Sequence, residues 1–278
     1  MNKTVGIVGL GIIGGSLAKA IKAHTAHTVL GFDIDTAVLA EAQQSQAIDG
    51  ILDQTHYEQC DYLLIALYPQ AVRDFFKENI RLFKKGLLII DCAGVKQLIC
   101  QQLSALASAA GVYFIGGHPM AGITQNGFQH SFAALFQGAS IILCKDEQTN
   151  LVALKAAELF FLSIGFDNVT VTTAKEHDRI IAYTSQLAHI VSNAYIKSKT
   201  AKVCQGFTAG SYKDLTRVAW LNEDLWTELF MENREFLLSE TESLIERLQT
   251  YTEALRAADS HTMTKLLREG RLAKEAVS

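Results

Sequence analysis

Lys3-Thr4-Val5-Gly6-Ile7-Val8-Gly9-Leu10-Gly11-Ile12-Ile13-Gly14-Gly15-Ser16-Leu17-Ala18 decides how the chain is read. Val5 to Val8 is an apolar, β-branched run of the kind that forms a buried strand. Gly9, Gly11 and Gly14 follow at the G-x-G-x-x-G spacing. Leu17, Ala18 and Ile21 then share one helical face. Strand, glycine turn and helix in that order form the context in which the motif binds a dinucleotide. Gly9 permits a tight turn, Gly11 a close approach of backbone to pyrophosphate, and Gly14 close packing of helix on strand. The anion is expected on the free N–H groups of the helix start.

A second feature supports this reading. The next strand, Thr28 to Phe32, ends in Asp33, about 20 residues beyond the glycines. A carboxylate there accepts hydrogen bonds from a ribose diol and repels a 2′-phosphate, so NAD is expected rather than NADP. An ordinary turn with a surface aspartate is the bland alternative.

Bulk properties set the outer limits. The 278 residues suggest one large or two ordinary domains. The chain is 49% hydrophobic and 19% charged, with a net charge of −4. No basic run points to nucleic acid. The cysteines at 60, 92, 100, 144 and 204 are unclustered. They fit free thiols in a reducing cytoplasm better than disulfides or a metal site. The N-terminus resembles a signal peptide, but its apolar stretch is broken by glycines at functional spacing. No apolar run is long enough to span a membrane.

Further strands are expected at Leu63 to Leu67, Leu87 to Ile90, Val112 to Ile115, Ile141 to Leu143 and Val169 to Val171. Pro69 suits a helix start. Near-continuous apolar strands alternating with helices imply an α/β fold with a parallel sheet covered on both faces. Asp33, Gly94 and His118 each follow a strand and should share its carboxyl edge. The strand signal stops near residue 173. This divides the chain into a Rossmann-type domain, 1–172, and an all-α domain, 173–278. Lys175 to Lys199 reads as one largely buried helix. A second helix, capped by Asn222, is expected to run to about Arg256. That is roughly 50 Å, long enough to pack against a second copy of the chain, unless it kinks and folds back.

Three stretches carry candidate chemistry. In Gly116-Gly117-His118-Pro119-Met120-Ala121-Gly122 the proline holds His118 extended. A neutral imidazole there takes the proton of an alcohol being oxidised beside a nicotinamide. A structural histidine is the alternative. On the 175–199 helix, Asp178, Ser185, His189 and Asn193 form a narrow polar seam that meets either solvent or a wet cleft. In Gly210-Ser211-Tyr212-Lys213-Asp214-Leu215-Thr216-Arg217, Arg217 is either a carboxylate clamp or a solvated charge.

Together these stretches resemble the prephenate/arogenate dehydrogenase family of tyrosine biosynthesis. The likeness rests on Val8 to Leu17, Gly117 to Gly122, Glu176-His177-Asp178, Ser185-Gln186-Leu187-Ala188-His189 and Lys213 to Arg217. The resemblance implies a Rossmann domain, a helical dimerisation domain and a site between them. It implies oxidation of prephenate by NAD to 4-hydroxyphenylpyruvate and carbon dioxide, in a homodimer. His118 would be the catalytic histidine. Ser185, His189, Gly210, Arg217 and Trp226 would bind substrate. Gly9, Leu10, Gly11, Ile12, Ile13, Gly14, Asp33 and Gly94 would contact the cofactor. A histidine at 189 leans toward prephenate, whose keto group accepts from imidazole, over arogenate.

The chain departs from the family pattern in places. Ala93-Gly94-Val95-Lys96 stands where the family reads G-S-V-K, so Gly94 replaces a serine. Ile123, followed by Thr124, replaces a Thr or Ser, and Ala188 replaces a proline. No ACT-type regulatory domain or chorismate mutase is expected. The missing serine motivates a rival reading, a weakened NAD-binding sensor or interaction protein.

Overall fold

A computed structural model describes residues 2–123 and 125–277, so Thr124 lies outside the described residues. The opening stretch forms β1 (Thr4–Val8) and α1 (Ile12–His24), followed by β2 (Thr28–Phe32) and α2 (Thr36–Gln44). A two-residue strand unmarked in the sequence, β3 (Gly50–Ile51), pairs with β2. Then come β4 (Tyr62–Ile65), α3 (Pro69–Asn79, with the proline in its first turn), β5 (Leu88–Asp91) and α4 (Gln97–Ala110). β6 (Tyr113–Pro119), β7 (Ser140–Cys144), α5 (Leu151–Ser163) and β8 (Asn168–Thr172) complete an eight-stranded sheet of order β3-β2-β1-β4-β5-β6-β7-β8.

The strand order reverses between β1 and β4, which puts the ligand crevice of an open α/β sheet beside the glycine turn. Alternate residues feed two cores, one on each face. Leu64 packs with Ile7, Leu17 and Ile21, whereas Leu63 and Ile65 pack with Val72 and Phe76.

The sheet is not wholly parallel as expected, because β6 and β7 pair antiparallel. Among the described residues of 120–139 there are short 3-10 turns that rest on α1, and no crossover helix. Without a crossover the chain re-enters at the same edge and must run back. Doubly covered strands look alike in either direction, so apolar patterning does not reveal this. The pairing also carries β6 through His118 and Pro119, opposite Ile142 and Ile141.

Beyond β8 the chain is helical. α6 (Ala174–Ile181) is capped by the Thr173 hydroxyl and passes through a π turn at Ala182–Gln186 into α7 (Leu187–Tyr195). The expected single helix thus ends earlier than Lys199. It is also less buried than expected, since Ile180, Tyr183 and Tyr195 are exposed. α8 (Gly210–Thr216), α9 (Glu223–Glu232), α10 (Arg234–Arg256) and α11 (Ser260–Glu275) follow. Asn222 caps α9 by accepting from Leu225 N–H at 2.9 Å.

The expected run to Arg256 is interrupted at Asn233, where φ is −109° and ψ 21°. Asn233 turns its side chain inward to bond buried groups, and the backbone leaves helical geometry there. The helical part has only a small core around Ala182, Leu187 and Leu237. Leu238, Ile245, Leu248, Leu255 and Leu267 stay exposed. Among the described residues no helix is long and apolar enough to cross a membrane.

Candidate active site

The glycine turn has the shape a dinucleotide requires. Gly9 has φ +86°, and a Cβ on it would stand 2.6 Å from the Ala66 carbonyl oxygen. A Cβ on Gly14 would collide with the carbonyl oxygen of Gly9, so α1 lies directly on the turn. Around Gly11 there is open space, as a cradle for a phosphate needs. Gly11 is also the N-cap of α1, and no side chain caps the helix start there. Its first N–H groups, from Ile12, Ile13 and Gly14, are therefore available to an anion.

Asp33 closes this corner. Its carboxylate accepts from Leu10 N–H at 2.8 Å and from Asp35 N–H at 3.0 Å. Each oxygen keeps a lone pair for a ribose hydroxyl. The residues present therefore fit NAD.

Further along the same edge lies a chain of three polar side chains. His118 Nδ1 is 2.8 Å from His177 Nε2, and His177 Nδ1 is 2.6 Å from Asp178 Oδ1. Asp178 also accepts from the backbone N–H groups of Lys96 and Gln97, each at 2.8 Å. A carboxylate taking two backbone N–H bonds is an acceptor toward His177 as well. His177 thus carries its proton on Nδ1 and accepts at Nε2. His118 then donates from Nδ1, and its Nε2 is left as a bare lone pair.

That nitrogen lies close to the place Gly94 leaves empty. A Cβ on Gly94 would stand 3.9 Å from it, and 3.2 and 3.5 Å from the methyl groups of Leu229. Burial, with the nearby His177 and Lys96, holds the His118 imidazole well below its usual range, so it is neutral at physiological pH. Burial likewise lowers His177 although Asp178 opposes it. Under the strand ends, Lys96 and Asp91 form a fully buried ion pair.

A second cluster gathers on the helices. His189 stacks on Trp226 with ring centroids 3.7 Å apart, and Trp226 touches Phe230. His189 Nδ1 donates to the Ser185 carbonyl at 2.9 Å, so Ser185 contributes its backbone here. Burial lowers His189, and the positive charge of Arg217 adds to this. α9 links the clusters, since Trp226 and Leu229 lie three residues apart on it and share a face. Gly210 stands at the exposed start of α8 with open space around it. The expected polar seam is split by the π turn. Asp178 is buried against α4, while Ser185, His189 and Asn193 are half-buried.

Several contributors were not evident from the sequence. Asn233 donates to the Asp178 carbonyl at 2.8 Å and to Gln186 Oε1 at 2.7 Å, and Gln186 donates to the Leu229 carbonyl at 3.1 Å. Arg73 on α3 holds Glu232 on α9 by two N–H···O bonds of 3.0 and 2.6 Å, almost out of water. An adjacent His-Asp pair in a helix read as buried was a usable signal for His177. No local pattern marks Asn233 or the pairing of Arg73 with Glu232, 159 positions away.

Comparison with known proteins gives a consistent result. The sequence model described as the nucleotide-binding domain of prephenate dehydrogenase matches residues 17–170, and that of its dimerization domain matches residues 173–269. The glycine turn lies ahead of the first match, so its assignment rests on its own geometry. A prephenate dehydrogenase of Lactococcus lactis is 30% identical over 283 residues, spanning 99% of this chain and 77% of that protein. A cyclohexadienyl dehydrogenase of Zymomonas mobilis is 28% identical, spanning 99% and 96%. Among solved structures, prephenate dehydrogenase from A. aeolicus with hydroxyphenyl propionate and NAD+ superposes with TM-score 0.85 at 23% identity, over 100% of this chain and 99% of that one. A Synechocystis arogenate dehydrogenase gives 0.82 at 23% identity, over 99% and 100%.

Proposed function

We propose, from the premise that this chain belongs to the prephenate dehydrogenase family, that it converts prephenate to 4-hydroxyphenylpyruvate and carbon dioxide with NAD. The observation that carries the reading is the His118–His177–Asp178 chain, which leaves His118 Nε2 as a neutral, unprotonated base beside the dinucleotide crevice. NAD, when bound, supplies the acceptor for the hydride leaving C4 of the ring. His118 Nε2 takes the proton of the C4 hydroxyl as that bond breaks. The positive charge so formed is shared toward His177 and Asp178. His118 returns the proton to the oxygen when loss of the carboxylate restores the aromatic ring. Arg217 binds a substrate carboxylate, and Trp226 with His189 forms a flat wall. Residues 1–172 would hold the cofactor, and residues 173–278 would bind substrate and join two copies through their exposed apolar helices.

One observation favours a second reading, arogenate as substrate. Because His189 Nδ1 donates to Ser185, its neutral ring offers only an acceptor at Nε2. An ammonium suits that acceptor, whereas a keto group needs the protonated ring. The geometry thus weakens the lean toward prephenate drawn from the mere presence of His189.

The test is NADH formation followed at 340 nm with prephenate and arogenate, each with NAD and NADP. Turnover of prephenate with NAD supports the first reading. Turnover of arogenate alone replaces it with the second. NAD binding without turnover of either would leave a sensor or interaction protein.

A further inference from the structure

Gly94 leaves a gap close to the reacting nitrogen of His118, and Leu229 lines it. The methyl groups of Leu229 lie 3.2 and 3.5 Å from where a side chain at 94 would begin, and His118 Nε2 lies 3.9 Å from the same point. Leu229 is only 8% exposed. Its backbone is held on both sides. Its carbonyl accepts from Gln186 Nε2 at 3.1 Å and from Asn233 N–H at 3.3 Å. One turn further, Glu232 is clamped by Arg73. These contacts place an apolar group at a defined spot beside the Gly94 gap, which also borders a nitrogen that makes no hydrogen bond among the described residues.

We propose that Leu229 is a positioning residue of the catalytic centre, a hydrophobic shield that lines the Gly94 gap and keeps water off His118 Nε2 until a substrate hydroxyl arrives. The role follows from what lone pairs do in water. An exposed imidazole nitrogen is solvated and takes up a proton readily, whereas a shielded one stays neutral and free for substrate. The groups that act on His118 are His177 from α6 and Lys96 from the turn after β5. From α9 the side chain that reaches the Gly94 gap is Leu229, which carries no charge. Removal from water is the largest influence on His118, and Leu229 is the side chain positioned to supply it on the Gly94 side. The glycine and the leucine thus act as a pair. A side chain at 94 would press on Leu229, and a smaller residue at 229 would open the gap.

The inference rests on His118 Nε2 being the base, so the test reads the nitrogen directly, without substrate. The histidine side chains are labelled with nitrogen-15 in the full-length protein, and the His118 signal is assigned by its loss in His118→Asn. Its titration midpoint is then followed by NMR. Leu229→Ala should raise the midpoint by roughly one unit, toward that of a solvated imidazole. Leu229→Met, which keeps the volume, should leave it in place. Adding Gly94→Ala to Leu229→Ala returns a methyl group to the gap and should lower the midpoint again. A midpoint unmoved by Leu229→Ala overturns the proposal, as does an equal rise in Leu229→Met. A parallel measurement separates this from the assigned reaction. If the midpoint rises but the acid limb of kcat/KM does not follow, the shield stands and His118 is not the base.

Discussion

His118 and His177 meet ring nitrogen to ring nitrogen at 2.8 Å, with their planes 63° apart. This one contact decides which nitrogen of His118 is left with a free lone pair. His118→Asn should therefore lower kcat by roughly 10²–10⁴-fold, the usual contribution of general-base catalysis. Asp178→Asn should also lower kcat, by less, because the tautomer is no longer imposed. The NAD dissociation constant should stay near its original value in both. Stopped-flow turnover and fluorescence titration of NAD check these outcomes.

Arg217 lies where its charge reaches His189. A charge-assisted contact to a carboxylate contributes roughly 1.5–3 kcal/mol. Arg217→Ala should therefore raise KM about ten- to a hundredfold, with a smaller change in kcat. Steady-state kinetics with the preferred substrate give the answer, and an unchanged KM would place Arg217 outside the substrate contacts.

Asp33 should make NADP the poorer cofactor. Replacing it with asparagine removes the negative charge but keeps an acceptor for Leu10 N–H. The ratio of kcat/KM for NADP over NAD should rise in Asp33→Asn. Equal use of both cofactors by the unmodified protein would contradict its role.

The Arg73–Glu232 pair joins α3 to α9 nearly out of water. Removing one partner of a buried pair leaves the other charge uncompensated and costs about 3–5 kcal/mol. Glu232→Ala should show that loss in urea unfolding. Replacing both residues by Leu and Met should recover most of it.

Substrate preference should depend on pH through His189. Burial and Arg217 put its folded midpoint below the usual 6.5, so the ring is neutral at pH 7 and above. The ratio of kcat/KM for arogenate over prephenate should be constant there. It should fall as pH drops through that lowered midpoint and the protonated ring begins to donate to a keto group. The His118 dependence is common to both substrates and cancels in the ratio. A ratio independent of pH would detach His189 from the choice.

Much of this was legible in the sequence because it is local. The Gly9, Gly11 and Gly14 spacing, Asp33 at the end of β2, Pro69 in the first turn of α3 and the Asn222 cap each rest on a few neighbouring residues. The direction of β7 was not legible, since apolar strands covered on both faces carry no mark of orientation. The break at Asn233 was hidden for a different reason. Its cause is a bond to Asp178, 55 positions away. The pairing of Gly94 with Leu229 is equally remote, because a glycine announces that space is needed and says nothing of what fills it.

The π turn at Ala182–Gln186 has a wider meaning. It works as a spacer in a ruler. Upstream, Asp178 is fastened to the start of α4, and downstream, His189 faces Trp226. An α-helix advances about 100° per residue. Deleting a single position between 182 and 186 would therefore swing His189 about a quarter-turn around the axis without loosening Asp178. The protein would keep its His118–His177 pair and its glycine turn, yet turn the wrong side of the helix toward Trp226.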